Sequence, residues 1–197
     1  MGQSTEADYL VIGAGSAGCV LANRLTENNE STVTLVEAGG PDRWWNWKVH
    51  MPSALAYPLA DNKYNWAYFS EPEKHLDGRR MYCPRGKIWG GSSSINGMAY
   101  VRGHALDYER WSRVSVCEGC SYSECLPYFK KAESFNGEGD SDYHGFDGPL
   151  SVKKSESTHD KLLDVFVEAG EQAGFPLTND FNGKNQEGFS RYEHTMA

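Results

Sequence analysis

The sequence predicts an α/β unit followed by the start of an α+β domain, and three observations carry that prediction. Asp8 to Ile12 is an apolar run closed by Gly13, the pattern of a buried parallel strand. Gly13-Ala-Gly-Ser-Ala-Gly18 then opens a stretch where Ala17, Val20, Leu21 and Leu25 recur at helical spacing and leave Asn23, Arg24 and Glu27 for the other face. After the turn Asn28 to Ser31, Thr32-Val-Thr-Leu-Val-Glu37 reads as a second strand, completing a βαβ unit of about 30 residues.

The glycine motif has the G-x-G-x-x-G spacing, which is weak alone and strong between a strand and a helix. Gly13 permits the tight turn, Gly15 lets a pyrophosphate lie close to the backbone, and Gly18 lets the helix pack on the strand. The helix N-terminus supplies free N–H groups and partial positive charge to phosphates. Glu37 lies nineteen residues beyond Gly18, placed to accept hydrogen bonds from ribose hydroxyls and to repel a 2'-phosphate, which disfavours NADP. This Rossmann-like half names Gly13, Ala14, Gly15, Ser16, Ala17, Gly18, Glu37 and the adjoining Ala38 as cofactor-binding candidates. NAD and FAD share the ADP end, so this half leaves both open.

Residues 42–83 hold Trp44, Trp45, Trp47 and Trp66 among several prolines without clear period, an aromatic-rich excursion with little regular structure. His104 to Val114 is expected to be helical. Ser121-Tyr-Ser-Glu124 has a capping-box pattern, although a start at Ser123 would keep Pro127 in the first turn, where its missing N–H matters least; the helix should run to about Glu133. Ser134 to Gly148, rich in Gly, Asp and Ser, is the expected domain boundary, separating a first domain of 8–135 from the start of a second at 149–197. Beyond it come a strand at Pro149 to Lys153 and a helix from about His159 to Ala173, with Leu162, Leu163, Phe166 and Val167 inward and Gly174 as its stop.

Bulk properties exclude some classes of partner. The net charge of -8 argues against nucleic acid. The longest apolar run, Tyr9 to Ala14, is far too short to span a bilayer, so no transmembrane segment is expected. Met1 to Asp8 has the features of neither a signal nor a transit peptide. Five cysteines, an odd number, favour reduced thiols. Cys117, Cys120 and Cys125 form a C-x-x-C plus one; a fourth ligand at matching spacing is missing, so they read as semi-buried thiols near a helix start, and no metal ligands are assigned. His50, His75, His104, His144, His159 and His194 read as surface or capping residues, and no catalytic residue is assigned.

Pro84 to Gly103 contains a second run of small residues, Gly90 to Ser94 and Gly97, whose consecutive N–H groups can converge on an anion. Arg85-Gly-Lys-Ile-Trp-Gly-Gly-Ser-Ser-Ser-Ile-Asn96, taken with Gly18 and Glu37, resembles the glucose-methanol-choline (GMC) family of FAD-dependent alcohol oxidoreductases. Trp89 to Trp111 and Cys125-Leu-Pro-Tyr-Phe129 look most like its choline-oxidising members, and the resemblance extends from Asp8 to Gly188.

The resemblance implies FAD, approached by Gly90, Gly91 and Ser92 at the diphosphate and by Ile88 from the preceding turn, with Asn96, Gly97, Met98 and Ala99 beside the isoalloxazine. Some relatives carry a covalently attached flavin on a histidine where this chain has Ile95, so noncovalent FAD is expected. The substrate implied for the full-length protein is a small-molecule primary alcohol, with another alcohol or a sugar as the alternative, and the electron acceptor is left unidentified. Family analogy suggests mitochondria if the source is an animal, though no presequence is visible. Relatives run well over twice this length and keep their catalytic histidine near the C-terminus. The chain is therefore expected to be a fragment, inactive by itself, that holds the cofactor without the acid–base machinery; a non-catalytic nucleotide-binding module is the remaining alternative. Arg85 and Lys87 read equally as phosphate ligands or as solvated charges. Relatives tend to have tryptophan at the position of Cys120, whose smaller side chain would leave that site poorly filled.

Overall fold

β1 (Tyr9–Ile12) and β2 (Val33–Val36) pair in parallel, with Tyr9 opposite Val33 and Ile12 opposite Val36, and α1 (Ser16–Leu25) connects them. Asp8 pins the entry to this pair: its Oδ2 accepts from Thr32 N at 2.8 Å and Thr32 Oγ1 at 2.7 Å. The computed structural model describes residues 6–154 and 161–195. The chain forms two compact units, Met1–Gly97 and Met98–Ala197.

In the first unit the aromatic-rich excursion is more ordered than its sequence suggests. It contains α2 (Trp47–His50), a 3-10 turn at Pro52–Ala54, α3 (Ala56–Ala60), and a hairpin of β3 (Tyr68–Phe69) with β4 (Tyr82–Cys83). These elements are too short to register as periodicity, and tertiary contacts hold them. The core is Tyr64, Ile88 and Ile95, with Val49 and Leu59 packed against it. Asn65, also buried, donates to Leu59 O and the Tyr82 hydroxyl, and accepts from the N–H groups of Ala67 and Arg85.

The second unit carries a four-stranded sheet in the order β5-β8-β7-β6, built from β5 (Ala99–Tyr100), β6 (Glu133–Asn136), β7 (Leu150–Lys154) and β8 (Glu193–His194). β6 and β7 are parallel, whereas β8 is antiparallel to both neighbours. The glycine-rich segment 134–148 is therefore not a boundary between compact units. It links two paired strands of one sheet, and the division falls instead at Gly97.

α4 (Ala105–Ser112) is N-capped by His104, whose Nδ1 accepts from Leu106 N at 3.2 Å. α5 (Tyr122–Ala132) starts at the full capping box of Ser121 and Glu124, not at Ser123. The two reciprocal cap bonds offset the loss of the Pro127 N–H, which falls in the second turn. α6 (Lys161–Gln172) stops as expected at Gly174, where the Gly174 N–H reaches Glu171 O and the Phe175 N–H reaches Gly170 O. His159 lies outside the described residues.

Two expectations about burial are corrected. The α6 stripe expected inward is largely open, Leu162 being 78% and Phe166 62% exposed, and only Gly170 of this helix is buried, against Phe189. β1 is likewise not a buried strand here, with Ile12 at 82% exposure. Both have the same cause: a stripe or a parallel strand is buried by layers packed on it, and the described residues supply β1 with a single neighbouring strand.

Candidate cofactor site

Both glycine motifs lie in the first unit, and backbone contacts close one on the other. The Gly13 N–H donates to Val36 O at 2.7 Å, tying the turn after β1 to the end of β2. A Cβ on Gly18 would overlap the Gly13 carbonyl oxygen, so α1 can begin against β1 only with glycine there. Glu37, half-buried just beyond β2, accepts from the Ala14 N–H at 2.7 Å through Oε2 and from the Gly39 N–H at 2.8 Å through Oε1. An ionised carboxylate has about four acceptor positions, so about two remain for hydroxyl groups.

The second motif returns alongside the first. Gly40 and Ile88 form a parallel bridge, the Trp89 N–H donates to Gly40 O at 3.1 Å, and the Gly90 N–H donates to Ala14 O at 2.7 Å. Gly91, at φ +58°, passes so near Gly15 that a Cβ on it would stand 2.8 Å from Gly15 Cα. The 3-10 turn Gly91–Ser94 then meets the start of α1, where the Ser16 and Ser93 hydroxyls are 2.5 Å apart. The first-turn N–H groups of α1 lack intrahelical partners by construction. A helix N-terminus, a second small-residue turn beside it and an oriented carboxylate at the next strand end together fit a dinucleotide: diphosphate at the turns, ribose at Glu37.

The structure thus brings Gly13, Ala14, Gly15, Ser16, Gly18, Glu37, Gly90 and Gly91 together, with Ala17 and Ala38 exposed beside them. Ser92 has its hydroxyl turned to the main chain, accepting from Gly86 N at 3.0 Å. Ile88 lies in the core at 1% exposure, its backbone engaged by the bridge to Gly40 and by the Gly91 N–H, which donates to Ile88 O at 2.8 Å. Asn96 and Gly97 are exposed at the end of the first unit, whereas Met98 and Ala99 belong to the second. Met98, at φ +61°, accepts from Thr195 N at 2.9 Å, and Ala99 pairs with His194. Sequence reasoning missed Ser93. The serine run was the signal, but which of three adjacent hydroxyls turns to Ser16 depends on the rotation of the turn. Arg85 and Lys87 direct their charges elsewhere: Arg85 Nη1 donates to Pro84 O at 2.7 Å, and Lys87 Nζ lies 4.8 Å from the Trp66 ring centre.

The second unit holds a buried ionic network that the sequence did not reveal. His144, expected at the surface, is enclosed between Glu133 and Asp180: Nδ1 is 3.1 Å from Glu133 Oε2 and Nε2 is 2.8 Å from Asp180 Oδ2. Its ring stacks on Phe135 with centroids 4.0 Å apart. Arg102 Nη2 donates to Glu133 at 2.8 Å and Nη1 to Tyr143 O at 2.7 Å; the Asn182 amide bridges Tyr100 O and Glu193 Oε2. Burial first, then the charge of Asp180, holds the Glu193 carboxyl above the usual carboxylate range.

Burial opposes charge on His144, but the hydrogen bonds and charges of Asp180 and Glu133 prevail and push it up to about 9. A group raised from 6.5 to about 9 contributes on the order of 3 kcal/mol to folding. That contribution is complete below about pH 6.5 and is lost as pH rises through about 9. Thermal melts across this range should show the midpoint falling with pH more steeply for the parent protein than for His144→Gln; equal slopes would remove His144 as the cause. Among the described residues no group of three His, Cys, Asp or Glu is placed to hold a metal ion.

A βαβ unit with this glycine turn, an acidic residue closing its second strand and a second small-residue turn docked on the first defines a dinucleotide-binding class of enzyme fold. The chain belongs to the GMC oxidoreductase family, whose N-terminal domain model matches residues 7–197. It is 55% identical over 189 residues to an oxygen-dependent choline dehydrogenase of Chromohalobacter salexigens, covering 96% of this chain and 34% of that protein. It is 53% identical over 194 residues to the protein of the same name from Pseudomonas fluorescens, covering 98% and 34%. The chain thus spans about a third of the length of these curated relatives. Among solved structures it superposes on pyridoxine 4-oxidase from Mesorbium loti with a TM-score of 0.89 at 31% identity, covering 98% of this chain and 37% of that one. It also superposes on an FAD-dependent oxidoreductase from Chaetomium thermophilum with a TM-score of 0.85 at 27% identity, covering 98% and 34%.

Proposed function

We propose that this chain is the FAD-binding portion of an oxidoreductase acting on CH–OH groups, with choline as the primary alcohol oxidised by the full-length protein. The observation that carries the reading is the closure of one glycine motif on the other through Gly90 to Ala14 and Ser16 to Ser93. That closure suits the long diphosphate of a flavin dinucleotide. FAD supplies, when bound, the hydride acceptor for the alcohol carbon. The first turn of α1 and the Gly91–Ser94 turn hold the diphosphate, and Glu37 orients the ribose.

Residues 98–197 begin the substrate domain in this reading. The open faces of α6 and β1 are where further chain would pack. The choice of choline rests on the named activity of relatives above 50% identity. A panel of alcohols assayed on the full-length protein separates choline from other primary alcohols and from sugars.

Ile95 stands where some relatives carry the attachment histidine, has no nucleophilic atom and is 4% exposed in the core, which supports noncovalent attachment. Purified protein titrated with FAD should quench flavin fluorescence to saturation, and acid precipitation should leave the yellow chromophore in the supernatant. Chromophore retained in the pellet would overturn noncovalent attachment, and absence of quenching would overturn the cofactor reading.

A further inference from the structure

Cys117, Cys120 and Cys125 belong to neither the cofactor site nor the ionic network; all three are half-buried, the first two in the connection from α4 to α5 and Cys125 in α5 itself. Cys117-Glu-Gly-Cys120 closes a tight turn. The Cys120 N–H donates to Cys117 O at 3.2 Å, and Gly119 sits at φ +83°, the positive-φ position of a type II turn. Such a turn holds its end Cα atoms within about 7 Å, and a disulfide spans roughly 4.4–6.8 Å between Cα atoms. Cys117 and Cys125, the latter in the first turns of α5, both lie within electrostatic reach of the Cys120 sulfur.

We propose that Cys117 and Cys120 are a redox-modifiable dithiol, converted by hydrogen peroxide into a disulfide that staples the turn immediately before the α5 cap. Cys117 sulfur attacks the peroxide, breaking its O–O bond; one water leaves and Cys117 becomes a sulfenic acid. Cys120 sulfur then displaces the second water and the S–S bond forms. Two electrons pass from the sulfurs to the peroxide, and both thiol protons end in water. Burial first, then the Cys117 and Cys125 sulfurs, pushes the Cys120 thiol above its ordinary value, which suits it to the second, resolving step rather than the first attack. Ser121, which directly follows Cys120, is the N-cap of α5, so the staple would restrain the capping box. This inference is independent of the flavin reading.

The test starts from reduced protein freed of reductant, exposed to hydrogen peroxide, alkylated and digested after glutamate without reduction. Glu118 separates Cys117 from Cys120 and Glu124 separates Cys120 from Cys125, so each cysteine falls in its own peptide. The expected result is one linked pair, Cys117 with Cys120, Cys125 alkylated, and free thiols falling from the five of the sequence to three. Cys125→Ser should retain the link, and Cys120→Ser should leave a sulfenic acid trappable at Cys117. A link through Cys125, a dimer joined through Cys19 with this pair still reduced, or five alkylated cysteines would overturn the proposal. The parent digest is decisive even if a variant folds poorly.

Discussion

Replacing Gly18 with alanine is expected to weaken FAD binding roughly a hundredfold, an effect of about 3 kcal/mol. The added methyl group overlaps the Gly13 carbonyl oxygen and crowds Val11 Cγ1 at 3.4 Å. No side chain can swing aside to relieve a backbone clash, so the turn itself must widen. Widening moves the first N–H groups of α1 away from the position that Gly90 and Ser93 hold from the other side. Gly40→Ala is the control, since a Cβ there meets nothing within 4 Å and should leave affinity near that of the parent. Fluorescence titration of FAD against the three proteins measures the effect, and equal affinity for Gly18→Ala and the parent would contradict the site as described.

The second large effect is expected at Glu133, where alanine should destabilise the second unit by about 3–5 kcal/mol, the range for removing one partner of a buried ion pair. Glu133 accepts from Arg102 at 2.8 Å, from His144 and from the Gly145 N–H at 3.0 Å, and its side chain has no exposed surface. Alanine leaves the Arg102 guanidinium buried without its counter-charge, in a group whose Nε already has no hydrogen-bond partner among the described residues. Asp180 still faces His144, so the arginine carries most of the loss. A loss of this size is a large fraction of the roughly 5–15 kcal/mol that holds a typical domain folded. Urea unfolding followed by circular dichroism measures it. Glu133→Gln, which keeps an acceptor oxygen and the shape of the side chain, should retain more stability than alanine. A loss below about 1 kcal/mol for alanine would show that the network contributes no more than a surface ion pair.

These two sites differ in how much of them the sequence made legible. Gly18 could be assigned a role because its constraint is local: a turn between a strand and a helix, with Glu37 a fixed distance along the chain. The same holds for the capping box of Ser121 and Glu124 and for Gly174 at the end of α6, where the partners lie within four or five residues. Glu133 was read as the end of a helix and His144 as a surface residue. Charged side chains are seldom fully buried unless paired, and nothing near them in the sequence announces the pairing. Their partners lie 31 and 36 residues away, at Arg102 and Asp180 respectively.

The sequence by itself determined the βαβ unit, both small-residue loops, the acidic residue at the end of β2 and the family, because each is written in residue types at short, fixed spacings. Only the tertiary structure decided that Ser93 is the hydroxyl facing Ser16 across 77 residues. It also decided that Ile88 belongs to the core, that 134–148 runs from β6 towards β7 of one sheet, and that a histidine is clamped between two carboxylates. The physical reason is common to all four. Local turns and caps are governed by backbone sterics that a few neighbouring residues dictate, whereas strand pairing and charge burial depend on which distant segments exclude water together.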